Sequence, residues 1–431
     1  MFKCLNKSAN DYIKFDLDHE RNLTMKAVMY GAGNIGRGFI GQRLYLSGYQ
    51  TTFIDVNDTV VDLLHKEKKY PIFVTRGTEY VPEWVENIDA INGKDAEAVT
   101  KAIVECDILC TALGVPILPR VAPLIAKAIE QRLDANKPLN ILICENMIGS
   151  NEYLHGLVEP LIPEDKKAAF EENIGFVCVS VGRTVPPTPA DILEKYPLAA
   201  CAEPYSELPV DAKGFRPVGC EYPPILELVP FSPFNFFIER KLLIHNMGHA
   251  LQAYYGYQKG QNYIFEAACD GEIKYVLTRA LVESARALCK RHGAPLDDAL
   301  QFVEDLMVRF ENKLLVDSFD RVGRDPKRKL SEGDRLVGAF KMVKEEGGVP
   351  AHIAVGIAAG YLFDMPSDPC AVEITEFVKA NGLEAALAKY SNITDADDVA
   401  MIKTFYDMFV EKAPFEKFVE TLAAMKSVNS H

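Results

Sequence analysis

The sequence predicts an α/β protein: a doubly wound, mainly parallel sheet followed by a mostly α-helical domain. Three observations lead there. Short continuous runs of Val, Ile, Leu and Cys alternate with amphipathic segments over the first half of the chain, the pattern of strands buried on both faces and wrapped by helices. A glycine-rich turn, "GAGNIG" at residues 31–36, stands between the first such run and the first amphipathic segment. Beyond residue 230 the apolar positions recur at the helical period and the extended runs stop.

The elements follow in chain order. "KAVMYG" reads as the first strand and Asn34 to Ser47 as the first helix. "TTFIDV" is a strand and "DTVVDLLHKE" a helix. "DAEAVTKAIVEC" is a helix that leads into the buried strand "DILCTAL", and a helix from Ile117 to about Arg132 leads into the buried strand "LNILICEN". A further helical region precedes "IGFVCVSV". From Pro197 to Leu228 the segments are short, extended and punctuated by proline. In "IKYVLTRALVESARALCKRHG" apolar side chains recur at Ile273, Val276, Leu277, Ala280, Leu281, Ala285 and Leu288, and Gly293 stands where a left-handed residue ends a helix. "LDDALQFVEDLMVRFEN", "FVKANGLEAALAKYS" and "PFEKFVETLAAMKS" continue the helical pattern. The domain organisation expected is an N-terminal extension over 1–24, a first domain over 25–230 and a helical domain over 231–431. The extension is peppered with charge and has no apolar core of a signal peptide. It reads as disordered or as the product of an upstream start, since Met25 opens the first strand.

Composition removes several classes of function. The 431 residues carry a formal net charge of −14, which excludes nucleic acid as a partner because phosphate backbones need a basic face. No run approaches ~20 apolar residues, so no membrane span is expected. The ten cysteines are scattered without a CxxC pair. They read as reduced, mostly buried thiols of a cytoplasmic protein.

Gly31-Ala32-Gly33-Asn34-Ile35-Gly36 is G-x-G-x-x-G in the setting that gives the pattern meaning, with a strand before it and a helix after it. Gly31 makes the tight turn, Gly33 lets the backbone approach a pyrophosphate, and Gly36 lets helix and strand pack closely. The N–H groups at the helix start face the phosphates. Asp55 follows Gly36 by 19 residues at the end of the second strand, placed to accept hydrogen bonds from a ribose 2′-hydroxyl and to repel a 2′-phosphate. The first domain is therefore Rossmann-type and the expected cofactor is NAD. Asn34, Ile35 and Leu113 are counted with Gly31, Gly33, Gly36 and Asp55 as cofactor contacts.

Downstream, "ERKLLIHNMGHALQAYYG" resembles the K-x-x-x-x-N-x-x-H signature of the polyol-specific long-chain dehydrogenases, with Lys241, Asn246 and His249 in the three positions. On an α-helix these three span about 140° of the circumference. The "GAGNIGRGFIG" block, "CENMIGS" at Cys144–Ser150 and "RVGRDPKRKLSEGDRL" at Arg321–Leu336 are similar to the mannitol-1-phosphate 5-dehydrogenase branch of that family. The resemblance covers nearly all of the chain from Met25 on. It implies hydride transfer between NAD and a polyol phosphate, interconverting mannitol 1-phosphate and fructose 6-phosphate, with the substrate in the cleft between domains. Lys241 would be the general base, which requires its amine to shed a proton near neutral pH. Asn246 and Asn146 would donate hydrogen bonds to the reacting oxygen, and His249 would hold a substrate hydroxyl.

"RVGRDPKRKLSEGDR" places Arg321, Arg324, Lys327, Arg328, Lys329 and Arg335 against three acids, an unusual basic knot in so acidic a chain. It is the candidate phosphate site, with Arg324, Lys329, Arg328 and Arg335 foremost. His245 and His249 stand four apart, but Asn246 fills the place where a zinc protease carries glutamate, and the family is metal-independent. No metal is expected. One departure from the family concerns substrate. Gly182 stands in Val181-Gly182-Arg183-Thr184-Val185-Pro186 where an aspartate is usual, and in relatives acting on unphosphorylated polyols that aspartate contacts substrate. A dehydrogenase of a free hexitol or hexonate is the alternative, and a non-catalytic NAD-binding sensor is a third.

Overall fold

The computed structural model describes residues 25–427. The expectation for residues 1–24, and Cys4, His19 and His431, lie outside them. The chain divides into two compact units, with the break between Asn235 and Phe236.

The first unit is built on six parallel strands: β1 (Lys26–Tyr30), β2 (Gln50–Asp55), β5 (Ile88–Asn92), β6 (Ile108–Thr111), β7 (Leu139–Ile143) and β8 (Ile174–Cys178). Their spatial order is β5-β2-β1-β6-β7-β8, so the sheet starts at its centre, grows to one side, then crosses over and grows to the other. The strands are apolar throughout because both faces are covered. Along β1, Ala27 and Met29 pack on one side with Phe39, Ile40 and Leu44 of the first helix. Val28 and Tyr30 pack on the other with Ile125 and Ile129 of the helix Leu118–Asp134. The expected strands and helices of this unit are present.

Three strands between residues 68 and 94 were not foreseen. β3 (Tyr70–Arg76) and β4 (Glu79–Val85) form an antiparallel hairpin, and β9 (Ala200–Ala202) joins β3 in parallel. β5 itself, "IDAIN", is the sheet's third strand. Pro71 and Pro82 interrupt the hairpin, and β4 is half-exposed with charged residues along it, so no clean alternation marks it. β10 (Leu208–Asp211) and β11 (Leu228–Phe231) pair in parallel, in the region expected to be extended.

The second unit is helical. Its core gathers around the helices Met247–Gln258, Gly271–His292, Arg335–Glu345 and Ala351–Gly360. Asp270 caps the longest of them through the N–H groups of Glu272 and Ile273, at 3.0 and 3.2 Å. Gly293 ends it at φ +62°, as the sequence predicts. No described helix is long and apolar enough to cross a membrane.

Three π-helical turns occur among the described residues: Gly36–Gly41, which continues into Gln42–Leu46; Arg240–Asn246, which continues into Met247–Gln258; and Leu387–Ser391, which follows Leu383–Ala386. Nothing in the side-chain periodicity foretells them, and the first two fall on segments singled out for function.

Candidate active site

In the first unit the glycine turn links the end of β1 to the first helix. Gly31 has φ +109°, and a Cβ there would lie 2.4 Å from the Ala112 carbonyl oxygen. At Gly36 a Cβ would lie 1.9 Å from the Gly31 carbonyl oxygen. Both positions are closed to any side chain. Gly33 is different: nothing lies within 4 Å of its would-be Cβ, so the fold does not require glycine there. The open side of Gly33 is the side a pyrophosphate needs. The Gly33 carbonyl accepts from Arg37 N at 2.9 Å, so the helix begins at once. Asn34 and Ile35 then supply N–H groups of the first turn, which lack helical partners. The Asn34 side chain donates to the Pro186 carbonyl at 3.4 Å.

Asp55 ties this turn together. Its Oδ2 accepts from Ala32 N at 2.8 Å and its Oδ1 from Asn57 N at 3.0 Å. A carboxylate offers about four acceptor positions, so two remain for ribose hydroxyls. Leu113 stands just beyond β6, where its N–H donates to Glu145 Oε1 at 2.9 Å, and Gly114 N donates to Glu145 Oε2 at 2.9 Å. Glu145 is buried and immediately precedes Asn146 at the carboxyl edge of the sheet, where ligands of this fold bind. Glu145 lies in the "CENMIGS" block but is not one of its candidate site residues. Its signal was available: an ionisable residue directly after the apolar strand "NILIC".

Arg183 has a larger structural part than its place in the sequence suggests. Its buried guanidinium donates to the carbonyls of Tyr205 and Gly38, at 2.7 and 3.0 Å, and to Gln42 Oε1 at 2.5 Å. Burial pushes its pKa down to about 9. It holds the segment after β8 against the first helix. Next to it, a Cβ on Gly182 would fall 2.7 Å from the Tyr205 ring. The Tyr205 hydroxyl donates to Glu207 Oε2 at 3.1 Å. The ring fills the space into which a side chain at 182 would project.

In the second unit Lys241 and Asn246 lie in the π-helical turn and His249 in the α-helix that continues it. The expected 140° spread assumed α geometry throughout. In a π-turn the N–H bonds five residues back, so residues five apart, Lys241 and Asn246, stack along the axis. Asn246 and His249 are three apart on the following α-helix, again one face. The turn therefore narrows the angle over which the three positions spread around the helix axis, compared with an unbroken α-helix. All three are half-buried.

His249 stacks on Phe310 with ring centroids 5.3 Å apart, and its Nε2 lies 3.1 Å from Asp317 Oδ2. Asp317 also accepts from Nε and Nη2 of the Arg321 guanidinium. Burial works against its charge, but the hydrogen bonds from His249 and Arg321 outweigh it and hold the carboxyl below the ordinary range. His245 is buried. Desolvation first, then Arg309, His249, Lys241 and Arg335, keep its pKa well below the usual value. It is a neutral imidazole in positively charged company.

The four candidate phosphate contacts separate into two kinds. Arg324 is 65% exposed and paired with Asp320 at 3.2 Å. Arg328 is half exposed and paired with Asp325 at 3.2 Å and Asp334 at 3.1 Å. Arg335 is nearly buried beside Asp334, 2.6 Å away. Lys329 is 5% exposed, and its ammonium donates to the Arg324 carbonyl. Among the described residues no carboxylate lies within ion-pairing distance of it. Burial, then Arg335 and Arg328, push its pKa down to about 7. Lys329 and Arg335 thus share one electrostatic environment, which Arg335 also extends to His245. Arg324 and Arg328 belong to surface ion pairs. Among the described residues no group of three or more His, Cys, Asp or Glu side chains is placed to hold a metal ion.

Residues 25–218 match the family described as the mannitol dehydrogenase Rossmann domain, and residues 234–425 match the mannitol dehydrogenase C-terminal domain. The structure of D-sorbitol dehydrogenase in substrate-free form is similar with TM-score 0.76 at 17% identity, over 90% of this chain and 94% of that one. Pseudomonas fluorescens mannitol 2-dehydrogenase, in a ternary complex with NAD and D-mannitol, is similar with TM-score 0.69 at 16% identity, over 94% and 95% of the two chains. At these identities the likeness is one of fold.

Proposed function

The chain belongs to the mannitol dehydrogenase family, and on that premise we propose that it is an NAD-dependent oxidoreductase interconverting mannitol 1-phosphate and fructose 6-phosphate. NAD, when bound, supplies the hydride acceptor for oxidation and, in its reduced form, the donor for the reverse reaction. The residues present fit it. Gly33 leaves open the approach a pyrophosphate needs, and the Asp55 carboxylate keeps acceptor positions for ribose hydroxyls. The same carboxylate favours NAD over its 2′-phosphorylated form.

Lys241 takes the proton of the substrate hydroxyl as oxidation proceeds and returns it during reduction. Asn246 and Asn146 donate to the substrate oxygen on which charge develops. His249 holds a further hydroxyl of the chain. The observation that carries the phosphorylated substrate is Lys329: a nearly buried ammonium beside Arg335 and Arg328, bonded to a carbonyl and, among the described residues, ion-paired to no carboxylate, Asp325 and Asp334 acting on it only from farther off. Burying such a charge without a counter-ion is costly, and a phosphate group would supply one.

A second reading, oxidation of a free hexitol or hexonate, is favoured by Arg324 and Arg328, whose guanidiniums are committed to Asp320, Asp325 and Asp334. It also agrees with the substrates named for the two structural neighbours. NADH absorbance followed against a panel of ketoses and ketose phosphates separates the readings. Fructose 6-phosphate should be reduced with the highest kcat/KM. Faster reduction of fructose would replace the phosphorylated substrate with the free one. Turnover of no member of the panel would leave an NAD-binding sensor.

A further inference from the structure

We propose that Asp317 is a positioning residue that locks His249 in its Nε2–H tautomer, so that Nδ1 faces the substrate as a hydrogen-bond acceptor. The inference rests on the reading above that His249 touches substrate, and it adds the atom and the polarity of that contact.

The Nε2 side of the ring is committed. Asp317 Oδ2 lies 3.1 Å away, and the carboxylate is only 5% exposed. An ionised carboxylate can only accept, so the ring nitrogen facing it must carry the proton. Asp317 is in turn gripped by Arg321, whose Nε donates to Oδ1 at 2.6 Å and whose Nη2 donates to Oδ2. This bidentate pairing of one guanidinium edge with both oxygens leaves the carboxylate little freedom to rotate.

The backbone is fixed as well. The Asp317 carbonyl accepts from Ile264 N at 2.9 Å, and Phe319 N donates to the Asn262 carbonyl at 2.9 Å. Ser318 forms an antiparallel bridge with Tyr263. Val316, just before Asp317, has φ +44°, a left-handed conformation that β-branched residues seldom adopt. Strain of this kind persists where the surrounding structure dictates it, and here it turns the chain so that Asp317 enters the buried layer.

Nδ1 is the complementary side. No described residue forms a hydrogen bond with it, and 16% of the His249 side chain remains exposed. Phe310 covers a ring face at 5.3 Å, which leaves the in-plane lone pair as the polar feature on offer. In this tautomer Nδ1 carries a lone pair, so it accepts from a hydroxyl and cannot donate to a carbonyl or carboxylate. The contact therefore selects a substrate with a free hydroxyl at the position that His249 meets.

The test uses the full-length chain with ¹⁵N-labelled histidine, the His249 resonances being assigned by their loss in His249→Gln. Wild-type protein should show a protonated Nε2 and an unprotonated Nδ1. Asp317→Asn offers an amide N–H in place of an acceptor and should reverse the tautomer, since a wrong-polarity partner protonates the other nitrogen. The same variant should raise KM for fructose 6-phosphate roughly ten- to a hundredfold, the loss of one hydrogen bond in a buried network, with kcat changed less. Asp317→Glu should restore part of both. A wild-type His249 protonated on Nδ1 overturns the proposal even if every variant fails to fold, and so does Asp317→Asn that keeps the wild-type tautomer. A reversed tautomer with unchanged KM would instead show that Nδ1 does not face substrate. Failure of the ketose panel leaves the tautomer measurement standing, so the two ideas can fail separately.

Discussion

The two units meet their chemical tasks with opposite materials. In the first, the site consists largely of side chains left out: Gly31 and Gly36 have no room for a Cβ, while Gly33 has room that the fold does not use. In the second, the proposed site consists of side chains put in: Lys241 and Asn246 on a π-turn and His249 on the α-helix that continues it, with Asp317 beside His249. A backbone site tolerates change only where space is spare. A side-chain site tolerates change of fold-neutral atoms but loses chemistry with each functional group. Substitutions in the two units should therefore fail in different observables.

The largest effect is expected in the second unit. Lys241→Ala should lower turnover by on the order of 10² to 10⁴, the range of general acid–base catalysis. Its NADH affinity, measured by fluorescence titration, should stay within about threefold of wild type, because a base that acts on the substrate contributes little to cofactor binding. Near wild-type turnover in this variant would falsify the assignment of the base.

The first unit should show the reverse pattern. Gly33→Ala adds a methyl group where nothing lies within 4 Å, so thermal stability should hold. Dinucleotide affinity should fall by roughly 1–3 kcal/mol as the methyl meets the pyrophosphate. Gly36→Ala forces a contact at 1.9 Å with backbone, and should lower stability and affinity together. Equal melting temperatures for the two variants would break the distinction drawn here between closed and open glycines.

Lys329 sharpens the comparison through pH. With its pKa near 7, the ammonium is charged below that pH and neutral above it. If it holds a phosphate, KM for fructose 6-phosphate should rise as pH climbs through about 7, and should be flat there and ten- to a hundredfold higher in Lys329→Met. Stability moves the other way. Between about 7 and the ordinary 10.5 the unfolded chain holds a proton that the folded chain has released, so stability rises with pH across that window. Lys329→Met should remove that part of the slope. An unchanged KM profile would detach Lys329 from the substrate, whatever the stability does.

The same contrast explains what was legible in the sequence. The sheet could be read because two-faced burial writes itself as continuous apolar runs, and the glycine turn because steric exclusion permits one residue only. The hairpin of β3 and β4 could not, since a half-exposed edge strand with Pro82 and several charges carries no period. The spacing of Lys241, Asn246 and His249 was visible, yet the π-turn that places them on one face was not, because it depends on backbone bonding rather than on side-chain pattern. Asp317 lies 68 residues beyond His249 in sequence. No local rule couples an acid to a histidine at that distance, and folding alone brings them together. The basic segment showed its charge but not its partition. Only the structure separates buried Lys329 and Arg335 from Arg324 and Arg328 in their surface pairs.

The smallest effect concerns Gly182, where the first unit behaves like the second. Its would-be Cβ lies 2.7 Å from a Tyr205 ring carbon, so glycine is required by a neighbouring side chain rather than by backbone. A side chain can give way. Gly182→Ala should therefore cost about 1–3 kcal/mol, the usual penalty of overpacking, which corresponds to a drop of roughly 2–4 °C in Tm per kcal/mol for a unit of this size. Tyr205→Ala removes the obstacle at its own cost. In the double variant most of the Gly182→Ala penalty should vanish, giving a coupling energy of about 0.5–3 kcal/mol in a double-mutant cycle. Additive penalties would mean that Tyr205 does not occupy the space beside residue 182. The paired variant also carries the substrate question. With Tyr205→Ala making room, Gly182→Asp introduces the carboxylate usual at this position. If the family resemblance extends to that contact, kcat/KM for fructose should rise relative to fructose 6-phosphate. An unchanged ratio would remove residue 182 from substrate selection and leave Lys329 and Arg335 as the groups that decide it.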